Sequence, residues 1–529
     1  MKRNNRVLLA LLVLMVLPAS HARAQTAANW GMTFPTSGSA VAQQHFLEGV
    51  TLMHLHMFED AEEHFVAAQE AQPDFAMAYW GEALNQHRTI WNIHNRDAAR
   101  EILQRLAATA AERARKAPTA REQAYLGAVE ILFGDGTQRE REAAYSEAMR
   151  RLSETYPEDA EALAWYALSL MRVTPSGRTR EQTRSLMASL SLEVLARNPR
   201  HPGANRYLIQ STDDPENTDL GVIAVNNLAG VDTDAAEALH IPSHYYIQHG
   251  MWEETAEANI RAFRSSMKWV AEHEWGLEDL NSHNYGHLVQ FANYGYLQSG
   301  QLGAASALRE QVEADFIASG KASAIAGPLA DLHARRVVDL ELWTEAVNLA
   351  DLADRHELRE TGLWLAIGVA AVRSGNLELA KKSLSVLGDA ADRPVSQGAI
   401  AALEVEGLML FAEGQTRHAL ELLEQAVETN RLLDIQNPVN RIGSPTRPLK
   451  PTRELYGEVL LAHGQAAQAL EQFELGLTML RGRTNLLLGA ARAATALGRT
   501  ALAADYYDKL QDSWTKADAD HPLVQEARK

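Results

Sequence analysis

Residues 46–81 read FLEGVTLMHLHMFEDAEEHFVAAQEAQPDFAMAYWG. Gly49 and Ala61 stand twelve residues apart, and Phe65 and Ala68 follow Ala61 by four and then three. That spacing sets Ala61, Phe65 and Ala68 on one helical face. Pro73 stops the helix because it lacks the N–H that a continuing turn needs. A glycine inside a helix costs about 0.5–1 kcal/mol relative to alanine, so its use at Gly49 points to a place where a second helix comes close. The stretch reads as two antiparallel helices packed at small residues. Ala76-Met77-Ala78-Tyr79-Trp80-Gly81 opens the next pair, whose second small position is taken by Ile93, so that repeat is degenerate or interrupted.

The same pairing recurs at Gly295/Ala307, Gly368/Ala380, Gly407/Ala419, Gly457/Ala469 and Gly489/Ala501. The steps are 39 residues from Gly368 to Gly407, 50 to Gly457 and 32 to Gly489. Repeats of this size describe an all-α superhelix of stacked hairpins, an architecture that usually recognises partners on its concave face. No stretch alternates as a strand does. Thr119, after Ala117-Pro118, is placed to cap a helix. Tyr156-Pro157-Glu158-Asp159 divides a hairpin over 139–172, and Asn437-Pro438 through Pro451 is a proline-rich loop.

The N-terminus has a different character. Lys2, Arg3 and Arg6 precede the apolar run Val7–Leu17, and Ala22-Arg23-Ala24 is a small-x-small site before Gln25. This order is that of a secretory signal peptide over residues 1–24. The run is 11 residues, well short of the roughly 20 that span a bilayer. Removing residues 1–24 from 529 leaves about 505 and takes four basic groups, moving the formal charge from −18 to about −22. Such acidity argues against nucleic acid and anionic lipid. There is no cysteine, which excludes thiol chemistry and Cys-type metal sites. The expected organisation is a flexible lead-in over 25–40, an irregular helical array over 41–280, a regular array over 281–515 and a polar tail over 516–529.

Ala76–Gly81, His201-Pro202-Gly203-Ala204, Asp213-Asp214-Pro215, His240-Ile241-Pro242-Ser243-His244 and Pro451–Gly457 together resemble a family of bacterial exported tetratricopeptide repeat proteins, distantly similar to the animal tetratricopeptide repeat protein 38 type. The resemblance spans about Phe46 to Tyr507 and implies fold and export, with no settled activity. The family pattern reads His-Pro-Gly-Ala-x-His-Tyr-x-Ile-His, and here Arg206 and Gln210 stand at its second and third histidines. A positive charge at Arg206 favours an anion and weakens a metal assignment.

Histidines are the main chemical candidates. His240 and His244 are spaced i, i+4, as are His283 and His287, so each pair projects from one side if helical. Pro242 lies between the first pair and argues that His240 precedes the helix. With His201, Asp213 and Asp214, these residues could line a polar pocket. The candidate ligand-binding set is His201, Arg206, Asp213, Asp214, His240, His244 and His287, with His201, His240, His244 and His287 as possible ligands of a divalent metal such as zinc or copper. Structural packing and helix capping are the competing explanation. His54, His56, His87 and His94 read as satisfied inner-face histidines. Tyr245, Tyr246, Trp252, Tyr285, Tyr294 and Tyr296 could clamp a peptide or be core.

No zinc-peptidase helix, nucleophile elbow or phosphate loop is present. The expectation is an exported scaffold that binds a protein or peptide on its concave face, with no catalytic residues and no assigned cofactor. The alternative is a metal- or small-ligand-binding protein, with enzymatic activity left open, using the central His/Asp cluster.

Overall fold

The structure is a computed structural model that describes residues 26–280, 283–391, 393–436, 448–519 and 521–527. The expected signal peptide and most of the proline-rich loop, Pro445 included, lie outside the described residues. The fold is all-α, a stack of antiparallel hairpins. Among the described residues, no helix is long and apolar enough to cross a membrane.

The first hairpin pairs helices Ala40–His54 and Phe58–Ala71. The glycines of the pattern seat aromatic rings. A Cβ built on Gly49 would lie 2.8 Å from the Phe65 ring, and one on Gly81 would lie 2.2 Å from it. Phe65 is thus wedged between the first helix of its own hairpin and the first helix of the next. The arrangement returns near the other end, where Cβ atoms on Gly457 and Gly489 would lie 2.7 and 2.4 Å from Phe473. Ala61, Ala380, Ala419 and Ala469 are buried as expected. Ala307 and Ala501 are exposed. Gly295 packs instead on the backbone of Trp252 and Ala256, in the preceding helix. Those two pairs share a spacing without sharing the contact.

Several expectations need correction. The lead-in is packed: Trp30 and Phe34 are buried, and the Phe34 ring meets Phe46, Trp80 and Tyr125 at 5.2, 5.7 and 5.0 Å between centroids. The end of the chain is packed too, because helix Pro522–Ala527 buries Leu523 and Val524. Among the described residues there is one short antiparallel hairpin, β1 (His87–Arg88) with β2 (Ile93–His94). It interrupts the repeat that begins at Gly81, and its turn needs Asn92 at φ 55°, a left-handed conformation that asparagine tolerates better than most residues. Thr119 caps helix Ala120–Leu132 with Glu122 in a reciprocal capping box. Asp159 caps Ala160–Ser169.

The C-terminal array holds a buried polar network. Buried Arg483 bonds Asp339 at 2.7 Å, Glu454 at 2.6 Å and the Tyr294 hydroxyl at 3.2 Å, joining hairpins far apart in sequence. Buried Lys450 donates to Glu454 and Glu458 at 2.8 and 2.7 Å. The C-terminal helices also close onto the middle of the chain, with Thr484 N–H donating to Gln298 Oε1 at 2.9 Å and Trp514 Nε1 to Gln298 O at 3.1 Å. Polar side chains that would line a concave face in an open array meet one another here.

Gly489→Ala is expected to destabilise the protein although alanine is the better helix former, because overpacking costs about 1–3 kcal/mol against a propensity gain of roughly 1 kcal/mol. Gly127→Ala, in helix Ala120–Leu132 with no atom near the added carbon, is expected to stabilise. Chemical denaturation of the two variants checks the pair, and equal gains would contradict the seating of Phe473.

Candidate functional site

Helix Ala236–His240 passes into helix Pro242–Gln248 through Ile241, which keeps helical angles (φ −56°, ψ −32°). Pro242 occupies the first turn of the second helix, where a missing N–H does no harm. His240 therefore closes one helix rather than preceding the other, and it still shares a side with His244. His287 ends the π-helical turn His283–His287 that leads into helix Leu288–Gln298. Side-chain nitrogens of His240, His244 and His287 lie within 4.8 Å of one another. Phe291 packs against all three rings at 5.2, 5.2 and 4.6 Å between centroids.

The hydrogen bonds fix the tautomers. His244 Nδ1 lies 2.7 Å from Asp213 Oδ2, and a carboxylate only accepts, so His244 Nδ1–H donates. Gln248 Nε2 donates to the other carboxylate oxygen at 3.0 Å and holds Asp213 in place. His240 Nδ1 lies 2.6 Å from Asn259 Oδ1. Asn259 Nδ2 donates to Thr255 O at 2.7 Å, which orients the amide oxygen at the ring, so His240 Nδ1–H also donates. A neutral imidazole carries one N–H. His240 Nε2 is then a lone-pair nitrogen, and it lies 3.0 Å from His244 Nε2; were the His244 ring neutral as well, two lone pairs would face each other. Burial, followed by the neighbouring His244, pushes the His240 pKa down to about 3, so that ring is neutral at pH 7.

Two opposed lone pairs repel unless something positive lies between them. Tetrahedral zinc with Zn–N near 2.0–2.1 Å places its nitrogen ligands about 3.3 Å apart, close to the observed separation. Histidine ligands commonly donate the other ring N–H to a carboxylate or carbonyl, and Asp213 and Asn259 fill those roles. The three imidazoles, without a thiol, suit a borderline divalent ion such as zinc or copper.

His201 does not join this group. It caps helix Pro202–Ser211, its Nδ1 accepting from Ala204 N–H at 3.1 Å, so its Nε2–H is left to donate to Glu161 Oε1 at 3.0 Å. His54 does the same from another helix: Nε2 lies 2.9 Å from Glu161 Oε2, and Nδ1 lies 2.8 Å from the Tyr207 hydroxyl. His54, Glu161 and His201 are near enough to suggest a second metal cluster, but His201 has spent its lone pair on the helix end and Glu161 takes an N–H at each oxygen. This is a closed network that ties three hairpins together. Asp214 is likewise structural: it caps the next turn through Glu216 and Asn217 N–H at 2.8 and 2.9 Å and pairs with Arg184 at 2.7 Å. Arg206 is buried and paired through Nη1 with Glu237 Oε2 at 2.6 Å, so its charge is balanced and does not oppose a cation as the sequence suggested.

Of the N-terminal histidines, His94 Nε2 faces the Arg141 guanidinium at 3.0 Å. Arginine only donates, so His94 presents Nδ1–H to His87 Nδ1 at 2.9 Å; this too is a satisfied pair. His56 and His87 line a cavity of about 20 Å³ with Met53, Phe58 and Leu84. Of the aromatics, Trp252, Tyr285 and Tyr294 are core, and Tyr245, Tyr246 and Tyr296 are half-buried.

No family model and no curated protein matches the chain. Solved structures similar to it are helical-repeat proteins. The yeast Tom70 structure is 13% identical, covers 89% of this chain and 92% of its own, and has a TM-score of 0.34. The Cut9 and Hcn1 hetero-tetramer of the APC/C is 13% identical over 94% of this chain and 79% of that one, with a TM-score of 0.31. Naa15/Naa10 bound to HypK is 12% identical over 92% and 90%, with a TM-score of 0.28.

The Glu161 network gives a pH signature. Burial lowers the folded His54 pKa below 6.5. Below that pH the unfolded chain binds a proton that the folded ring refuses, so stability falls. Burial works against ionised Glu161, but His54 and His201 outweigh it and hold its pKa at about 2, down from 4.5. That carboxylate stabilises the fold above pH 4.5, and its contribution disappears as pH falls toward 2. Glu161→Gln should cost about 3 kcal/mol at pH 7 by leaving a buried N–H unpaired. The gap between wild type and variant, read from denaturation midpoints, should narrow from pH 4.5 downward. A pH-independent gap would contradict the assignment.

Proposed function

We propose that the chain is an exported helical-repeat scaffold that binds a divalent transition metal through His240, His244 and His287. The carrying observation is the pair of Nε2 atoms that face each other at 3.0 Å while Asp213 and Asn259 hold the opposite ring nitrogens. The third ring, on a separate element, completes a three-histidine set and leaves a fourth coordination position for water or a ligand, as in sites with three protein ligands. Export is supported by the basic, apolar and small-residue order of residues 1–24.

A protein partner belongs to the same reading, because hairpin arrays offer long surfaces. Arg483, Asp339, Glu454 and Lys450 of the C-terminal array bond one another and are not the groups such a partner would meet. The metal is therefore the more specific half of the proposal. No residue is assigned a catalytic role.

Elemental analysis of the full chain, purified without a polyhistidine tag, is expected to find close to one equivalent of zinc or copper per chain. The double variant His240→Ala/His244→Ala should abolish uptake, and Asp213→Asn should weaken it about 10–100-fold, as loss of an outer-shell partner does. Substoichiometric metal, together with a thermal midpoint that neither zinc nor copper raises, would remove the metal reading.

A further inference from the structure

Arg481, Gly482 and Arg483 lie in the turn between helix Ala466–Met479 and helix Thr484–Ala496. Each of the three meets a different support of the histidine site, far from it in sequence. Arg481 Nη2 donates to Pro215 O at 2.5 Å, two residues beyond Asp213, whose carboxylate holds His244. Gly482 packs on Gly250. A Cβ on Gly482 would lie 3.2 Å from Gly250 Cα and 3.6 Å from the Trp252 ring. The two glycines have φ of 73° and 67°, a conformation that glycine adopts without strain. Trp252 shares one apolar cluster with Ile247, Tyr294 and Phe291, and Phe291 is the ring that packs on all three imidazoles. Arg483 Nη1 donates to the Tyr294 hydroxyl at 3.2 Å. Tyr294 stands one turn beyond Phe291 in the helix that begins directly after His287.

This joint is built to open more readily than a core. The buried apolar side chains of the last hairpins form one cluster, and those around Trp252 and around Leu297 form two others. Hydrogen bonds cross between them. Besides Arg481 and Arg483, Thr484 N–H and Trp514 Nε1–H donate to Gln298, Thr515 Oγ1 donates to Glu253 Oε1 at 2.9 Å, and Gly303 N–H donates to Asp518 Oδ2 at 2.8 Å. Water can replace such bonds at a small net cost.

We propose that Arg481-Gly482-Arg483 is a clasp on the histidine site, so that metal binding is coupled to closure of the C-terminal hairpins onto the middle of the chain. The clasp steadies the segment of Asp213 from one side and the helix of Phe291 from the other. Release loosens the outer partner of His244 together with the ring that orients the three imidazoles. Coupling is reciprocal, so bound metal tightens the clasp. Arg481 is a positioning residue and touches no metal ligand. This inference rests on the metal reading above.

The test uses untagged full-length protein. Zinc affinity is measured by competition with a chromophoric chelator, and amide hydrogen exchange is read by mass spectrometry with and without zinc. Arg481→Ala removes a side chain that is 42% exposed. It should weaken zinc binding roughly five- to fiftyfold while the thermal midpoint of the metal-free protein stays where it is. Arg481→Lys keeps a donor and should recover most of the affinity. Gly482→Val, which forces Gly250 away, should lose at least as much as Arg481→Ala. Lys509→Ala, at an exposed ion pair on the same hairpins, should bind as wild type does. Zinc should slow exchange over 480–484 and 514–518 in the wild type and not in Arg481→Ala. Wild-type affinity in Arg481→Ala, or exchange over 480–484 that zinc leaves unchanged, would overturn the clasp while the metal reading stands. A wild type that takes up no zinc would overturn the metal reading, and the clasp with it.

Discussion

Two glycines and one phenylalanine set the geometry on which everything else rests. Phe65 sits between Gly49 and Gly81, and Phe473 between Gly457 and Gly489, at separations no side chain could share. The rings are fully buried, and burying a phenylalanine contributes about 1.5–3 kcal/mol. That gain offsets the glycine cost in the helix and fixes how near successive hairpins stand. Among the hairpins so stacked, Arg483 bonds Tyr294 and Asp339, which are far from it in sequence.

The close stacking has a chemical consequence. Groups that would be solvated in an open array are desolvated, so each must find a partner. Most do, within closed networks such as His54–Glu161–His201 and Lys450–Glu454–Arg483. The histidines near Phe291 differ from these networks. In His240 and His244 the Nδ1 atoms are held by Asn259 and Asp213, and the Nε2 atoms are turned toward each other. The same residue type thus serves as cross-link in one place and as proposed ligand in another, and the hydrogen bonds imposed by the neighbours distinguish the two.

Much of this was legible in the sequence. The Gly49–Phe65 stretch announces the hairpin, the Thr119 cap is readable from local pattern, and the i, i+4 spacing of His240 and His244 singles out the candidate pair in spite of Pro242. The parts that were not legible are long-range or too short to show a period. Glu161 meets His54 over 107 residues, and Asn259 is an ordinary helix residue until its amide meets His240. His201 looked like a ligand because its role depends on a backbone N–H three residues on. The two-residue strands at 87–88 and 93–94 have no alternation to detect. Trp30 and Phe34 lie in a stretch rich in small and polar residues, and only the groove between later helices gives them a place. Gly295/Ala307 and Gly489/Ala501 show that spacing alone does not distinguish the hairpin contact from a coincidence.

X-ray absorption on zinc-loaded full-length protein tests the central claim most directly. The account predicts a first shell with three imidazole nitrogens at about 2.0–2.1 Å and one oxygen ligand. A shell of oxygen scatterers with no imidazole signature would contradict it.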